Sequence, residues 1–327
     1  MKVFNLIQKI QLLAEKKSRL KNLDNFDRNS LDNWLQIELT YTSNAIEGNT
    51  LTHQETMLVV EEGLSIPGKK VYEIQEAKNH YQALMLVKKM TSNLKDLKNF
   101  RQNQLLEIHQ IILAGIDNFN AGKYRSVGVR ISGSSHLPPN PLKVPDLMDE
   151  MEKKWQNDDF SNPLKLACDL HYELASIHPF TDGNGRSARL LFNLVLLVAG
   201  YPLSFISPSE RVTYLKSLEK ANLTQDFTDY YRLMLNCIER SLDLYLSPET
   251  SSPSSPSKLT VNKLAKLSKE SESTIRHWTK LGLLPISKGQ NNYAYYDEST
   301  PQLCRKIRQL QKNQRFNLDE IKQILNP

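Results

Sequence analysis

The chain has 327 residues, 39% of them apolar, which is enough for one large packed domain and a small second one. Its net charge of +6 is unevenly placed: residues 258–327 carry 13 Lys plus Arg against 6 Asp plus Glu, leaving 29 against 30 before them, so the basic excess directs only the C-terminal part toward nucleic acid or an acidic partner. The longest apolar run, Leu190 to Gly200, is too short to span a bilayer and contains Asn193, the first residues lack a secretion signal, and Cys168, Cys237 and Cys304 form no paired motif; a cytoplasmic protein with reduced thiols and no membrane contact is expected.

Apolar spacing of i, i+3, i+4 predicts helices over 34–45, 71–94, 102–113, 144–156, 163–176, 185–199, 208–221 and 227–246. Between Lys123 and Pro139, β-branched residues punctuated by Gly predict a short exposed hairpin. The Ser- and Pro-rich stretch 246–257 is unable to bury a core and reads as a flexible linker between a domain at 1–245 and another at 258–327. In the second, two short amphipathic helices separate at Glu270 to Glu272, close at Gly282 and Pro285, and are followed by a candidate wing over 291–297 and a helix pair over 301–325. This is a helix-turn-helix pattern.

The segment 178–189, His-Pro-Phe-Thr-Asp-Gly-Asn-Gly-Arg-Ser-Ala-Arg, concentrates chemistry. Pro179 stops one helix, two glycines flank Asn184, and an apolar helix resumes at Leu190, so the loop opens onto a helix N-terminus. Unpaired N–H groups there, approached past Gly183 and Gly185, form a cradle for phosphate. Arg186 and Arg189, three apart, are placed to grip successive phosphates, Asp182 to hold a Mg²⁺ that bridges them, and His178 to take a hydroxyl proton near neutral pH. A lone His before Pro, or a lone Gly-x-Gly, is usually only structural; the four features within twelve positions define a phosphate-handling enzyme, and spacing goes no further.

The segment resembles the Fic family signature at every position, His-Pro-Phe-x-(Asp/Glu)-Gly-Asn-Gly-Arg-x-x-Arg. The resemblance extends over roughly residues 30–245 and includes Gly122-Lys-Tyr-Arg125 and the Ser-His-Leu-Pro-Pro segment 135–139. It implies a mainly α fold, the Fic-type helical bundle with a β-hairpin flap at about 127–136 that aligns the target by main-chain pairing. It also implies attack of a target Tyr, Thr or Ser hydroxyl on the α-phosphate of ATP. By that resemblance His178 is the general base, Asp182 the Mg²⁺ ligand and Phe180 the loop's anchor. Gly183, Asn184 and Gly185 cradle the phosphates, with Arg186 toward the β-phosphate and Arg189 on the γ-phosphate. Other diphosphate-containing donors, such as UTP, fit the same cradle; AMP is the family's commonest product.

Ser43 and Glu47, four apart and followed by Gly48, compose an ordinary helix end. They also resemble the inhibitory motif (Ser/Thr)-x-x-x-Glu-(Gly/Asn) of Fic proteins. That implies a resting enzyme in which Glu47 pairs with Arg189 and obstructs the γ-phosphate position, or alternatively a Glu that positions water for hydrolytic removal of AMP. The C-terminal segment resembles the MerR-type winged helix, which places Arg276, His277 and Tyr295 toward DNA. Protein docking through the same module, or a DNA-binding regulator whose Fic domain senses nucleotide, are the competing readings. The sequence leaves the target protein and the oligomeric state open, a homodimer included.

Overall fold

The computed structural model describes residues 4–20, 25–246, 259–288, 294–296, 300–313, 318, 321 and 322. The chain divides into two compact units, Met1–Thr250 and Ser251–Pro327.

The first unit is helical: α1 (Leu6–Arg19), α2 (Asn25–Ile46), α3 (His53–Glu62), α4 (Val71–Thr91), α5 (Gln102–Leu113), α6 (Val144–Asn157), α7 (Pro163–Ile177), α8 (Asn184–Val198), α9 (Arg211–Thr224) and α10 (Thr228–Leu246). All eight helices predicted there from periodicity are present. The predicted 208–221 segment starts as a 3-10 turn, Pro208–Glu210, in which the Glu210 carboxylate accepts from the Ser207 N–H at 2.9 Å, and continues as α9. Two helices fall outside the periodic segments. In α1 only Leu13 is buried, so its apolar stripe is too thin to register. The short α3 is announced instead by a capping box, Thr52 on the Glu55 N–H and Glu55 back on the Thr52 N–H.

α8 is the centre of this unit. From Arg186 to Leu196 every residue is buried, as expected of a helix that is apolar on all sides beyond its first turn. It packs against α7, α4, α5 and α2, so the polar first turn of α8 is held by the same neighbours that form the core. Leu51, Leu58, Val59, Ile66, Ile74 and Ala77 form a smaller cluster that seats α3 on α4.

The expected β-hairpin flap is not present: residues 123–140 contain turns and irregular backbone and no strand. Within 127–136 the backbone makes a single internal hydrogen bond, Ser134 N–H to the Ile131 carbonyl at 3.2 Å. The segment is fastened by side chains instead. Glu219 on α9 accepts from the Ser135 N–H at 2.7 Å, and His136 Nε2 meets the Ser176 carbonyl at 3.0 Å. These tethers fix the loop without a cross-strand ladder, and Gly128 and Gly133 (φ 76°) interrupt any run of extended residues.

In the second unit α11 (Val261–Ser268) and α12 (Glu272–Lys280) are each N-capped, by Thr260 and Ser271, and meet at Lys269 in the left-handed conformation. β1 (Ser287–Lys288) pairs antiparallel with β2 (Ala294–Tyr295), and Tyr296 bridges to Leu259. Then comes α13 (Thr300–Asn313). Leu264, Ile275, Trp278, Leu284, Tyr296, Cys304 and Ile307 make its core. Of the expected wing, 294–296 is seen as strand and bridge. Residues 291–293 and 297, most of the second member of the C-terminal helix pair, and the linker beyond Leu246 lie outside the described residues. Leu246 itself ends α10.

Candidate active site

The loop between α7 and α8 owes its shape to polar pairing of nearly every group in it. His178 caps α7 with φ 52°, its N–H bonded to the Leu174 carbonyl at 3.0 Å. The ring Nδ1 lies 3.1 Å from the Ala175 carbonyl. A carbonyl only accepts, so Nδ1 carries the proton and Nε2 keeps a lone pair. Burial lowers the His178 pKa below its ordinary 6.5, reinforced by Arg125 and His136 and opposed by the Ala175 carbonyl and Glu47. The imidazole is therefore neutral at pH 7, the form needed of a base.

Phe180 is fully buried and stacks on His109, ring centroids 3.6 Å apart. His109 in turn accepts from the Gly122 N–H on Nδ1 and donates from Nε2 to the Asp182 carbonyl, both at 3.0 Å, and burial lowers its pKa to about 4. Asn184 closes the loop: its Oδ1 accepts from the Phe180 N–H and its Nδ2 donates to the Phe180 carbonyl, each at 2.9 Å. Its side chain is thus turned into the loop, and only its backbone is available to a ligand. Gly183 (φ 77°) is required by space as well as conformation, since a Cβ there would lie 3.2 Å from Ile112 and 3.3 Å from His109.

At the first turn of α8 the two arginines are buried, at 2% and 3% exposure, and each is held by carboxylates. Arg186 donates to Glu76 on α4 at 3.1 Å and to Asp182 at 3.2 Å, and its Nε is buried without a partner. Glu76 also accepts from Asn49, two residues beyond Glu47, so one carboxylate ties the end of α2 to α8. Burial raises the Glu76 pKa, against Arg186 and Asn49. Arg189 donates to the Ser43 hydroxyl and carbonyl at 2.9 Å each and to Glu47 Oε1 at 2.6 Å. Burial depresses its pKa most, but Glu47 and Tyr214 outweigh that and the net shift is upward. Beneath it, Tyr214 donates to His171 Nε2 at 3.1 Å, and His171 Nδ1 to Tyr230 at 2.8 Å.

Glu47 does more than pair with Arg189. A Cβ on Gly185 would stand 2.3 Å from Glu47 Oε1, so the carboxylate rests directly on the backbone of the first turn of α8. An anion already lies where the positive end of a helix best accommodates one. His178, Asp182, Gly183, Gly185, Arg186, Arg189, Ser43 and Glu47 are thus brought to one place. Asp182 presents a carboxylate whose side chain is 63% exposed. No cluster of three or more His, Cys, Asp or Glu ligands exists among the described residues. One carboxylate suits a Mg²⁺ that takes its other ligands from phosphates and water, so the donor set fits that ion. Glu76, His109 and Tyr214 belong to this site and were not singled out from sequence; each sits in an ordinary amphipathic helix with no local signal.

In the second unit Arg276 and His277 lie exposed on α12, Arg276 3.4 Å from Glu272 one turn back. Tyr295 is in β2, and its side chain lies outside the described residues.

A neutral imidazole lies beside a glycine-lined helix terminus with two buried arginines, an arrangement able to accept phosphate oxygens. Residues 99–196 match the Fic/DOC family model and residues 259–326 that of the MerR HTH family of regulatory proteins, so the chain carries a Fic domain followed by a MerR-type module. It is 36% identical over 216 residues to a protein adenylyltransferase Fic of Nematostella vectensis, covering 65% of this chain and 49% of that protein. To one of Drosophila grimshawi it is 37% identical over 214 residues, 63% of this chain and 42% of the relative. The chain thus spans about half the length of these curated relatives or somewhat less. Among solved structures it resembles Fic-1 (residues 134–508) of C. elegans, with TM-score 0.69, 28% identity and coverage of 76% and 74% of the two chains. A Fic domain containing signaling protein of Bacteroides thetaiotaomicron matches with TM-score 0.65, 28% identity and coverage of 74% and 96%.

No helix among the described residues is long and apolar enough to cross a membrane.

Proposed function

We propose that the chain is a protein adenylyltransferase that moves AMP from ATP to a Tyr, Thr or Ser hydroxyl of a target protein or of itself, and that Glu47 restrains it. The observation that carries this reading is the Glu47 carboxylate seated on the Gly185 backbone and on Arg189, beside an imidazole with a free Nε2. The name borne by the curated relatives agrees with it.

In this mechanism His178 Nε2 accepts the hydroxyl proton while the oxygen attacks the α-phosphorus, and pyrophosphate departs. The backbone N–H groups of the first turn of α8, around Gly183 to Gly185, and the guanidinium of Arg186 receive the α- and β-phosphates; Arg189 receives the γ-phosphate. Asp182 would hold Mg²⁺, whose role when bound is to neutralise phosphate charge. Positioning and charge supply most of the acceleration. Glu47 competes for the same donors, so a productive γ-phosphate requires its displacement.

The test is incorporation of α-labelled ATP into the protein. Glu47→Gly should label itself far more than the unmodified chain, and adding His178→Ala should abolish the label. Equal labelling with and without Glu47 would remove the restraint; labelling that survives His178→Ala would remove the assigned base. The Glu47 side chain is also 38% exposed and faces the cradle, which favours a second use, orienting water for removal of AMP from a modified protein. Release of AMP from pre-labelled protein that depends on Glu47 distinguishes it. For the second unit we propose DNA contact through the exposed face of α12 with Arg276 and His277, and through β2 with Tyr295. It follows from the local basic excess and the MerR-type match. His178→Ala that retains DNA binding while losing transfer would show that the two activities are separable.

A further inference from the structure

A helix leaves its last carbonyls without intrahelical partners. At the C-terminus of α7, the helix that presents His178, each of these carbonyls has a named donor. The last helical bond runs from the His178 N–H to Leu174 at 3.0 Å, and Ala175, the first carbonyl beyond it, receives the His178 ring at 3.1 Å. Ser176 receives His136 Nε2 at 3.0 Å. The next three carbonyls belong to one residue: Arg125 donates from Nη2 to Ile177 at 3.5 Å, from Nε to His178 at 2.8 Å, and from its backbone N–H to Pro179 at 2.8 Å. The same guanidinium also donates to Val127 at 3.0 Å and Pro139 at 2.6 Å, the two ends of the loop that replaces the expected hairpin.

Arg125 is 4% exposed and has no carboxylate partner among the described residues, and burial lowers its pKa with no carboxylate opposing it. A buried cation satisfied only by carbonyls is costly unless its geometry is used. Here the planar fork reaches diverging carbonyls that a single ammonium is unable to reach together. It also sits at the negative end of α7. His178 stands at φ 52°, a conformation that a non-glycine residue keeps only when its surroundings impose it, and its carbonyl is one of the groups Arg125 holds.

We infer that Arg125 is a positioning residue for His178: it fixes the left-handed backbone that aims the imidazole and fastens both ends of the 127–139 loop to the same point. Base and loop therefore form one mechanical unit, joined through the Arg125 guanidinium and, beside it, through the His136 contact with Ser176. The rate consequence rests on the AMP-transfer reading above; the effect on the His178 ring does not.

The experiment uses the full chain carrying Glu47→Gly, with Arg125→Met and Arg125→Lys added separately. Three quantities are read: affinity for a non-hydrolysable ATP analogue with Mg²⁺, self-labelling at saturating α-labelled ATP, and the ¹⁵N resonances of the His178 ring, assigned by their loss in His178→Ala. Arg125 touches none of the cradle residues, so affinity should stay within about threefold while self-labelling falls on the order of 100-fold, the usual consequence of a misplaced reacting group. Arg125→Lys, which retains a cation and keeps the protein folded if the Met variant does not fold, should recover part of the rate. The Nδ1–H signature of His178 should weaken toward a mixture of tautomers in both variants. A folded Arg125→Met protein with an unchanged His178 spectrum overturns the inference, and so does a rate within about twofold of its parent. Loss of nucleotide affinity equal to the loss of rate also overturns it, since that marks a general structural role. If the Glu47→Gly parent itself fails to label, the transfer reading falls alone and the ring spectra still decide the role of Arg125.

Discussion

Replacing Glu47 with Gly should tighten the binding of ATP more than that of ADP. Arg189 is 3% exposed, and Glu47 is its only carboxylate among the described residues, bonded at 2.6 Å. Without it the guanidinium keeps only the two neutral oxygens of Ser43 and the contact with Tyr214. A hydrogen bond to a charged group contributes about 1.5–3 kcal/mol, and partial exposure of Glu47 screens this one, so about 2 kcal/mol is the reasonable figure. In the unmodified chain a γ-phosphate must displace that contact; in the variant it meets an unpaired cation. About 2 kcal/mol corresponds to roughly 30-fold in affinity. Titration calorimetry with a non-hydrolysable ATP analogue and Mg²⁺ measures it, with ADP as control. The variant should also be less stable without nucleotide and recover on binding it. Affinities of variant and unmodified protein within about threefold would refute the displacement argument, whose expected gain is ten times larger. An equal gain for ADP would refute the placement of the γ-phosphate on Arg189.

Gly185→Ala should destabilise the unmodified chain through the clash with Glu47. Combined with Glu47→Gly, denaturation should show that cost relieved while calorimetry shows nucleotide binding still impaired, because the added methyl group occupies the cradle itself. Asn184→Ala strands the buried N–H and carbonyl of Phe180, each costing about 1–3 kcal/mol, so urea unfolding should show a loss of about 3 kcal/mol. The folded-state pKa of His178 lies below 6.5, so transfer by Glu47→Gly should be level above that pH and fall as pH drops beneath it; a half-maximal pH above 7 would contradict the burial argument. Stability follows the same sign. His80 and His171, with pKa about 3, and His109, about 4, stay neutral when folded but bind protons when unfolded below pH 6.5. Their contribution is complete above pH 6.5 and lost progressively as pH falls toward about 4 for His109 and about 3 for His80 and His171, which thermal melts across that range will register. Arg276→Ala in the full chain should weaken DNA binding and its salt dependence in a gel-shift assay; binding unchanged at all salt concentrations would place the DNA surface elsewhere.

The resemblance and the local pattern of 178–189 carried much of the site because its parts are contiguous. A glycine pair, two arginines one turn apart and a histidine before proline dictate a loop feeding a helix N-terminus from covalent geometry and helix-end chemistry alone. The amphipathic helices were equally legible, since burial on one face imposes a period that the sequence repeats. What the order of residues was unable to decide is which distant groups complete that loop. Glu76 is one of two glutamates on α4, and His109 and Tyr214 are ordinary members of helical stripes. Only packing of α4, α5 and α9 around α8 sets them against Arg186, Phe180 and Arg189. The hairpin failed for the same reason. β-branched residues between glycines are compatible with a strand, but Arg125 and His136, within the segment, tie it to its own ends and to the end of α7, while Glu219 on α9 holds Ser135, and no partner strand is left to pair. Local chemistry is written in neighbouring residues; the counter-charges that position it come from across the core, and only the folded chain brings those together.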